Sequence, residues 1–266
     1  MKGITVTDYS ELEKFATHFA EGKHNLLFVI GESGHGKSKI FDNATAGKDV
    51  CLKLEGHFTP LAMYSQLYNS PDCRVWIDDV DELYRDSTKI AMLKALCQTD
   101  LRKTMRWQSS RKLLVEGSDI PPFFQTRTRV AIITNDWKSL NKNVGALENR
   151  GIALLFKPSP CAVHDKVGSW FSEPEVYNFI GELVPTLMTH DMRVYIHALE
   201  LKETGRDWRN YVIQMTAGNK LSDQELAALI HADTRLTSSE KLQKYATLAK
   251  KKSRASYYRN IDRKQI

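Results

Sequence analysis

The 266-residue chain carries 38 Lys and Arg against 32 Asp and Glu, a net charge of +6, with 42% hydrophobic residues and four cysteines. That length suffices for one large or two modest domains with a full core. No apolar run approaches the ~18 residues of a membrane span, and the opening stretch, Met1-Lys-Gly-Ile-Thr-Val-Thr-Asp8, lacks an apolar secretory segment. Cys51, Cys73, Cys97 and Cys161 form no C-x-x-C pair, which argues against a zinc site and fits packed thiols in a reducing cytoplasm, without membrane association.

The charge is unevenly placed. From Arg235 onward ten Lys and Arg face only Glu240 and Asp262, a net of +8, so the preceding residues net −2 of the total +6. Such asymmetry points to a tail that meets a polyanion, with a solvated charged helix as the alternative.

In chain order, residues 10–21 read as a helix capped by Ser10, with Leu12, Phe15, Ala16 and Phe19 on one face. The apolar run Leu26-Leu-Phe-Val-Ile30 reads as a strand, and Gly31-Glu-Ser-Gly-His-Gly-Lys-Ser38 follows it. This is G-x-x-x-x-G-K-[ST] in the context a phosphate-binding loop requires. Its glycines permit a tight turn with N–H groups aimed at phosphate oxygens, and the next helix, through about residue 46, brings its positive end to the same anion. Gly31, Glu32, Ser33, Gly34, His35, Gly36, Lys37, Ser38 and Lys39 form the expected nucleotide-binding stretch. Lys37 is expected to reach the β- and γ-phosphates and Ser38 to ligate Mg²⁺.

Val50–Leu54 is strand-like, and Thr59 caps a helix carrying Leu61, Met63, Tyr64, Leu67 and Tyr68. The second motif, Cys73-Arg-Val-Trp-Ile-Asp-Asp-Val-Asp-Glu82, is an apolar strand ending in acids. It places carboxylates at the sheet edge where α/β folds bind ligands. Asp78 is the candidate Mg²⁺ ligand, and Asp79 the candidate activator of the attacking water, with Glu82 as a substitute.

With these two motifs the chain resembles the AAA+ ATPases over roughly residues 20 to 215. The family ends this strand with Asp-Glu; here Asp78-Asp79 stands in its place, one methylene shorter at the base. The resemblance implies that Asn135, ending Val130-Ala-Ile-Ile-Thr-Asn135, orients the attacking water. It implies that Arg150, in Ala146-Leu-Glu-Asn-Arg150, is an arginine finger acting on a neighbouring subunit, with Arg127 and Arg129 as alternatives. It also implies that Arg193, in His190-Asp-Met-Arg193, contacts nucleotide from a helical lid. ATP and Mg²⁺ are the implied ligands, and self-assembly into a hexameric ring or a filament the implied state.

The fold expected is an α/β P-loop domain over residues 1–160, with a parallel sheet of about five strands flanked by helices. An all-α lid over 161–218 and a small helical segment over 219–266 follow. Lys157-Pro-Ser-Pro160 reads as the linker, and Glu173–Leu187, Asp191–Leu201 and Arg206–Met215 as lid helices. Residues 99–128 depart from a minimal core. Arg102, Lys103, Arg106, Trp107, Arg111 and Lys112 interleave charge and ring as single strands favour; the alternative is a surface loop with Trp107 and Phe123 packed on the core.

Leu221–Ala232, capped by Ser222, Ser238–Ala249 with Leu242, Tyr245, Ala246 and Ala249 inward, and Ser253–Ile261 read as three helices. The last pair resembles a helix-turn-helix unit. Ser253, Arg254, Ser256 and Tyr257 are expected to face the major groove, and Lys250, Lys251, Lys252 and Arg259 to take phosphates. Lysines stand where that turn usually has glycine. Three functions remain open: an ATPase assembling on DNA, a protein remodeller built on the same motor, and a nucleotide switch with little turnover. Remodellers usually carry an aromatic-hydrophobic-glycine pore loop, which Glu55-Gly-His-Phe58 matches poorly.

Overall fold

A computed structural model describes residues 3–48, 50–56, 58–78, 87–107, 113–115, 118–135, 147, 149–233, 236–249 and 253–262. The chain divides into two compact units at Pro158 and Ser159.

The first unit opens with β1 (Ile4–Val6) and α1 (Tyr9–Ala20). Asp8, not Ser10, caps α1: its backbone is extended and its carboxylate accepts the Ser10 N–H at 2.7 Å. Both residue types cap well; the carboxylate, held below its ordinary pKa by that bond and the Ser10 hydroxyl, wins the position. Next come β2 (Leu26–Ile30), wholly buried, α2 (Lys37–Thr45) and β3 (Cys51–Leu54). Helix α3 (Pro60–Asn69) starts where Thr59 accepts the Ala62 N–H, as its Thr-Pro pair dictates, and leads to β4 (Arg74–Asp78) and α4 (Ser87–Leu96).

An inserted antiparallel element follows. Strand β5 (Lys103–Arg106) leads to β6 (Leu113–Val115), and β7 (Ser118–Ile120) returns through Pro121 and Pro122 to β8 (Phe123–Thr126). β5 pairs with β8 and β6 with β7, so the segment is a folded-back ribbon rather than a surface loop. Trp107 and Phe124 pack against the core, whereas Phe123 is 57% exposed beneath the Arg106 guanidinium. Lys103 is wholly buried, its ammonium donating to the Thr128 carbonyl at 2.6 Å, so it is unavailable to a nucleic-acid strand. Burial holds it down to about 8, and pushes the neighbouring Cys97 thiol up to about 12.

Strands β9 (Arg129–Thr134) and β10 (Ile152–Phe156) complete a six-stranded, all-parallel sheet in the order β1-β10-β2-β9-β4-β3. The sheet has one strand more than expected, because three-residue β1 pairs with β10 through Ile4↔Leu154 to Val6↔Phe156. The central strands are continuous apolar runs, as a sheet covered on both faces requires. Their core includes Leu26, Phe28, Val75, Ile77, Val130 and Ile132.

The second unit is helical. Lys157-Pro-Ser-Pro160 spans the boundary between the units and also starts the next helix: Ser159 accepts the Ala162 N–H and Pro160 is the first residue of α5 (Pro160–Gly168). Helices α6 (Pro174–Leu183), α7 (Arg193–Glu203) and α8 (Trp208–Ala217) follow, burying Val163, Val167, Val176, Ile180, Tyr195, Ala198 and Val212. Helices α9 (Asp223–Ala232), α10 (Ser238–Leu248) and α11 (Arg254–Asp262) share a separate small core of Leu226, Ala227, Ile230, Tyr245, Ala249 and Tyr257. Reciprocal capping boxes, Ser222 with Glu225 and Thr237 with Glu240, set where α9 and α10 begin.

Candidate functional site

The site lies at the carboxyl edge of the parallel sheet. Strand β2 ends at Ile30, and the Gly31 N–H still reaches the Thr134 carbonyl of β9 at 3.2 Å. Gly34 and Gly36 have φ of 79° and 76°, the left-handed region where a side chain is strained. Gly31 is needed for a different reason. A Cβ there would stand 2.5 Å from the Phe156 carbonyl oxygen, because β10 passes directly against the loop. Gly36 is the N-cap of α2, with no side-chain cap, so backbone N–H groups of the first turn face the loop's concavity.

Lys37 is buried at the start of α2. Its ammonium donates to the Gly31 and Glu32 carbonyls, both at 2.7 Å, and to Asn135 Oδ1 at 3.1 Å. The loop curls around its own cation, and the strand-ending amide of β9 joins it. Ser38 is half-buried in the same turn, and Lys39 is exposed. Behind the loop, the Tyr9 hydroxyl donates to the His35 carbonyl at 3.2 Å, and the Tyr9 ring meets Phe156 edge-on with centroids 5.1 Å apart. Sequence reading missed this support. A Tyr opening a helix next to a strand carries no motif; the packing of α1 on α2 through Phe19 and Phe41, with the pairing of β1 and β10, brings it to the loop.

The strand order explains how the two motifs meet. β9 lies between β2 and β4, with Ile30 level with Thr134 and Ile133 level with Asp78. Lys37, Asn135 and Asp78 therefore share one edge, and the two outer strands are two spacings, about 10 Å, apart. Asp79 and Glu82 lie outside the described residues. The donor set fits Mg²⁺: a hydroxyl, Ser38, and a carboxylate, Asp78, are the one or two protein oxygens this ion takes beside phosphate oxygens and water. Among the described residues there is no group of three or more His, Cys, Asp or Glu to hold a metal by protein ligands alone.

The other predicted residues lie elsewhere. Arg150 precedes β10 at the opposite, amino edge, since Ile152 pairs with Leu27. A five-residue strand separates it from the carboxyl edge, roughly 17 Å, so it cannot serve the loop of its own chain. Its guanidinium donates to the Lys94 carbonyl at 3.1 Å, in the last turn of α4, where backbone acceptors and the helix dipole both attract a cation. Arg127 is exposed and Arg129 half-buried, both near this same amino edge. Arg193 is the first residue of α7, exposed, its N–H accepted by Asp191 Oδ1 at 2.8 Å.

In the last helix two expectations, Tyr257 and Ser256 facing the groove, are corrected. Tyr257 is 2% exposed and packs on Tyr245, with ring centroids 5.1 Å apart, so it cannot enter a groove. Ser256 is buried beside it, within hydrogen-bonding distance of the Tyr245 hydroxyl. The exposed ring is Tyr258, at 41%, with the Arg254 guanidinium 5.9 Å from its centroid. Arg259 is also exposed, and Lys250, Lys251 and Lys252 lie outside the described residues. An i,i+4 reading finds the difference: Tyr257 shares its face with Ile261, which packs on the small core, and Tyr258 shares its face with Arg254.

A parallel sheet whose inner strand passes through a left-handed glycine turn into a helix, with a buried lysine folded over the turn, defines a phosphate-binding-loop α/β protein with a helical C-terminal part. No protein-family model and no curated protein matches the chain. Among solved structures it is similar to a point mutant of Thermotoga maritima RuvB, at a TM-score of 0.45 and 12% identity over 85% of this chain and 76% of that one. So distant a likeness leaves function to the residues themselves. No described helix is long and apolar enough to cross a membrane.

Proposed function

We propose that the chain is an AAA+ ATPase that binds ATP with Mg²⁺, hydrolyses it, and assembles with copies of itself on DNA. The observation that carries this reading is the Lys37 ammonium, held jointly by the loop carbonyls and by Asn135. One loop and one neighbouring strand end thereby converge on the position a terminal phosphate takes in such loops.

In this reading the N–H groups of residues 31–39 bind the phosphates and Lys37 turns from loop carbonyl to phosphate oxygen. Ser38 and Asp78 hold the magnesium, which when bound neutralises phosphate charge. Asp79 accepts the proton of the attacking water, and the Asn135 amide orients that water while staying near Lys37. Arg193 reads the nucleotide from the helical lid. Arg150, on the edge away from its own loop, acts on the next subunit, exchanging the Lys94 carbonyl for a phosphoryl oxygen. The exposed Arg254, Tyr258 and Arg259 of α11, with the lysines before it, meet DNA.

The remodeller reading loses weight because Phe58, the aromatic a pore loop needs, is half-buried against the core with Lys89 Nζ 5.2 Å from its ring. The Asn135→Ala variant tests the proposal. Removing an amide that acts on the water, rather than on the ground-state nucleotide, should leave ATP affinity within a fewfold of the parent. Turnover should fall by about 10²- to 10³-fold, the usual cost of losing one transition-state hydrogen-bonding group. Unchanged turnover removes Asn135 from the mechanism.

A further inference from the structure

The Tyr9 hydroxyl touches the loop at the carbonyl of His35, one residue before Gly36 and two before Lys37. That carbonyl and the Gly36 N–H belong to one peptide unit. The described chain has no cis peptide bond, so the unit is planar and trans, with C=O and N–H pointing to opposite sides. A donor that fixes the carbonyl therefore fixes the direction of the N–H. Gly36 is the residue at which this matters most. With φ of 76° it has no side chain to restrict its torsions, and neighbouring Gly34 is equally unrestricted.

We propose that Tyr9 is a positioning residue for the phosphate loop: its hydrogen bond to the His35 carbonyl holds the His35–Gly36 peptide with its N–H turned toward the phosphates. This rests on reading residues 31–39 as the nucleotide loop.

Three further features fit the role. Tyr9 is 7% exposed and its ring is wedged edge-on against Phe156, so the hydroxyl cannot swing away. Burial raises the phenol above its ordinary pKa, which keeps it a protonated donor at neutral pH. The buried His35 ring also meets Phe156 edge-on, at 6.3 Å, so the residue whose carbonyl Tyr9 holds is itself packed on β10. Phe156 in turn presses its carbonyl against Gly31. One strand end and one helix start thus set both ends of the loop. Helix α1, whose first residue packs on Phe156 at the end of β10, becomes part of the binding site.

The test is the Tyr9→Phe variant of the full chain, which keeps the ring on Phe156 and removes only the donor. ATP and inorganic tripolyphosphate serve as probes by calorimetry, beside the parent and Lys37→Ala. One lost hydrogen bond predicts that affinity for both probes falls about three- to tenfold, while the melting temperature drops by no more than about 4 °C. Tripolyphosphate is the decisive probe, since it has no base or ribose. Unchanged ATP affinity in a folded Tyr9→Phe protein overturns the proposal, and so does weakened ATP binding with tripolyphosphate unaffected. The underlying nucleotide reading fails separately, if Lys37→Ala binds ATP as the parent does.

Discussion

Replacing Lys37 by Ala removes the cation around which the loop is built. Its ammonium donates to two backbone carbonyls and an amide oxygen, at 2.7, 2.7 and 3.1 Å. With nucleotide bound, phosphate oxygens take over from at least one carbonyl. Hydrogen bonds to charged groups contribute about 1.5–3 kcal/mol each. Loss of two such bonds to phosphate costs about 3–6 kcal/mol of binding, or about 10²- to 10⁴-fold in affinity for ATP. The fold should tolerate the change, because Gly31 and Glu32 lie at the rim of the loop, where water can reach the freed carbonyls; both residues retain some exposure. The assay is calorimetric titration with Mg·ATP, with far-ultraviolet circular dichroism to verify folding. A folded Lys37→Ala protein that binds ATP within threefold of the parent refutes the assignment of the loop.

Arg150→Ala should bind ATP normally and, in the assembled state, lose about 10³-fold in turnover; mixing with Asp79→Ala subunits should restore part of it, and a mixture as inactive as its parts argues against action between subunits. The buried Lys103 sets a pH dependence with a definite sign. Its folded pKa, about 8, lies below the unfolded value, so the folded state binds fewer protons than the unfolded state between about 8 and 10.4. The penalty of the buried charge is therefore full near pH 7 and fades as pH rises through 8 toward 10. Lys103→Met should exceed the parent in stability at pH 7 by up to about 3 kcal/mol, and the difference should shrink on going to pH 10 in urea melts; a difference that grows with pH contradicts the burial argument. In α11, Tyr257→Ala should cost about 3–5 kcal/mol of stability, as core aromatic truncations do. Arg254→Ala should leave the melting temperature alone and reduce the salt slope of duplex binding by about 1; the opposite assignment of effects returns Tyr257 to the surface.

The parts of this protein legible from sequence are those where one residue type satisfies a local physical demand. Gly34 and Gly36 occupy left-handed backbone, Thr59 and Ser222 cap helices, and the apolar run Leu26–Ile30 is the buried inner strand. What escaped depends on partners distant in sequence. Three-residue β1 has no signal of its own and is a strand only because β10 pairs with it. Pro160 looks like a breaker until Ser159 is seen to cap, at which point the same proline is a helix start. Lys103 reads as a surface cation and is buried because β5 pairs with β8 and its ammonium reaches the Thr128 carbonyl. Tyr257 and Tyr258 are adjacent and alike in type; before the α9–α11 core is known, the i,i+4 partners, Ile261 for Tyr257 and Arg254 for Tyr258, are what tell them apart. Arg150 shows the same limit from the other side. Its place before β10 followed from sequence, but its bond to Lys94 depends on where α4 ends.

If the edge formed by Lys37, Asn135 and Asp78 turns over ATP in the service of DNA, hydrolysis must respond to DNA. Steady-state phosphate release by the purified full chain, with Mg·ATP and with or without duplex DNA at low salt, measures this directly. Turnover should rise when DNA is added, and a chain ended after Gly218 should lose this stimulation. Binding of ATP with no release of phosphate in either condition contradicts the proposed function.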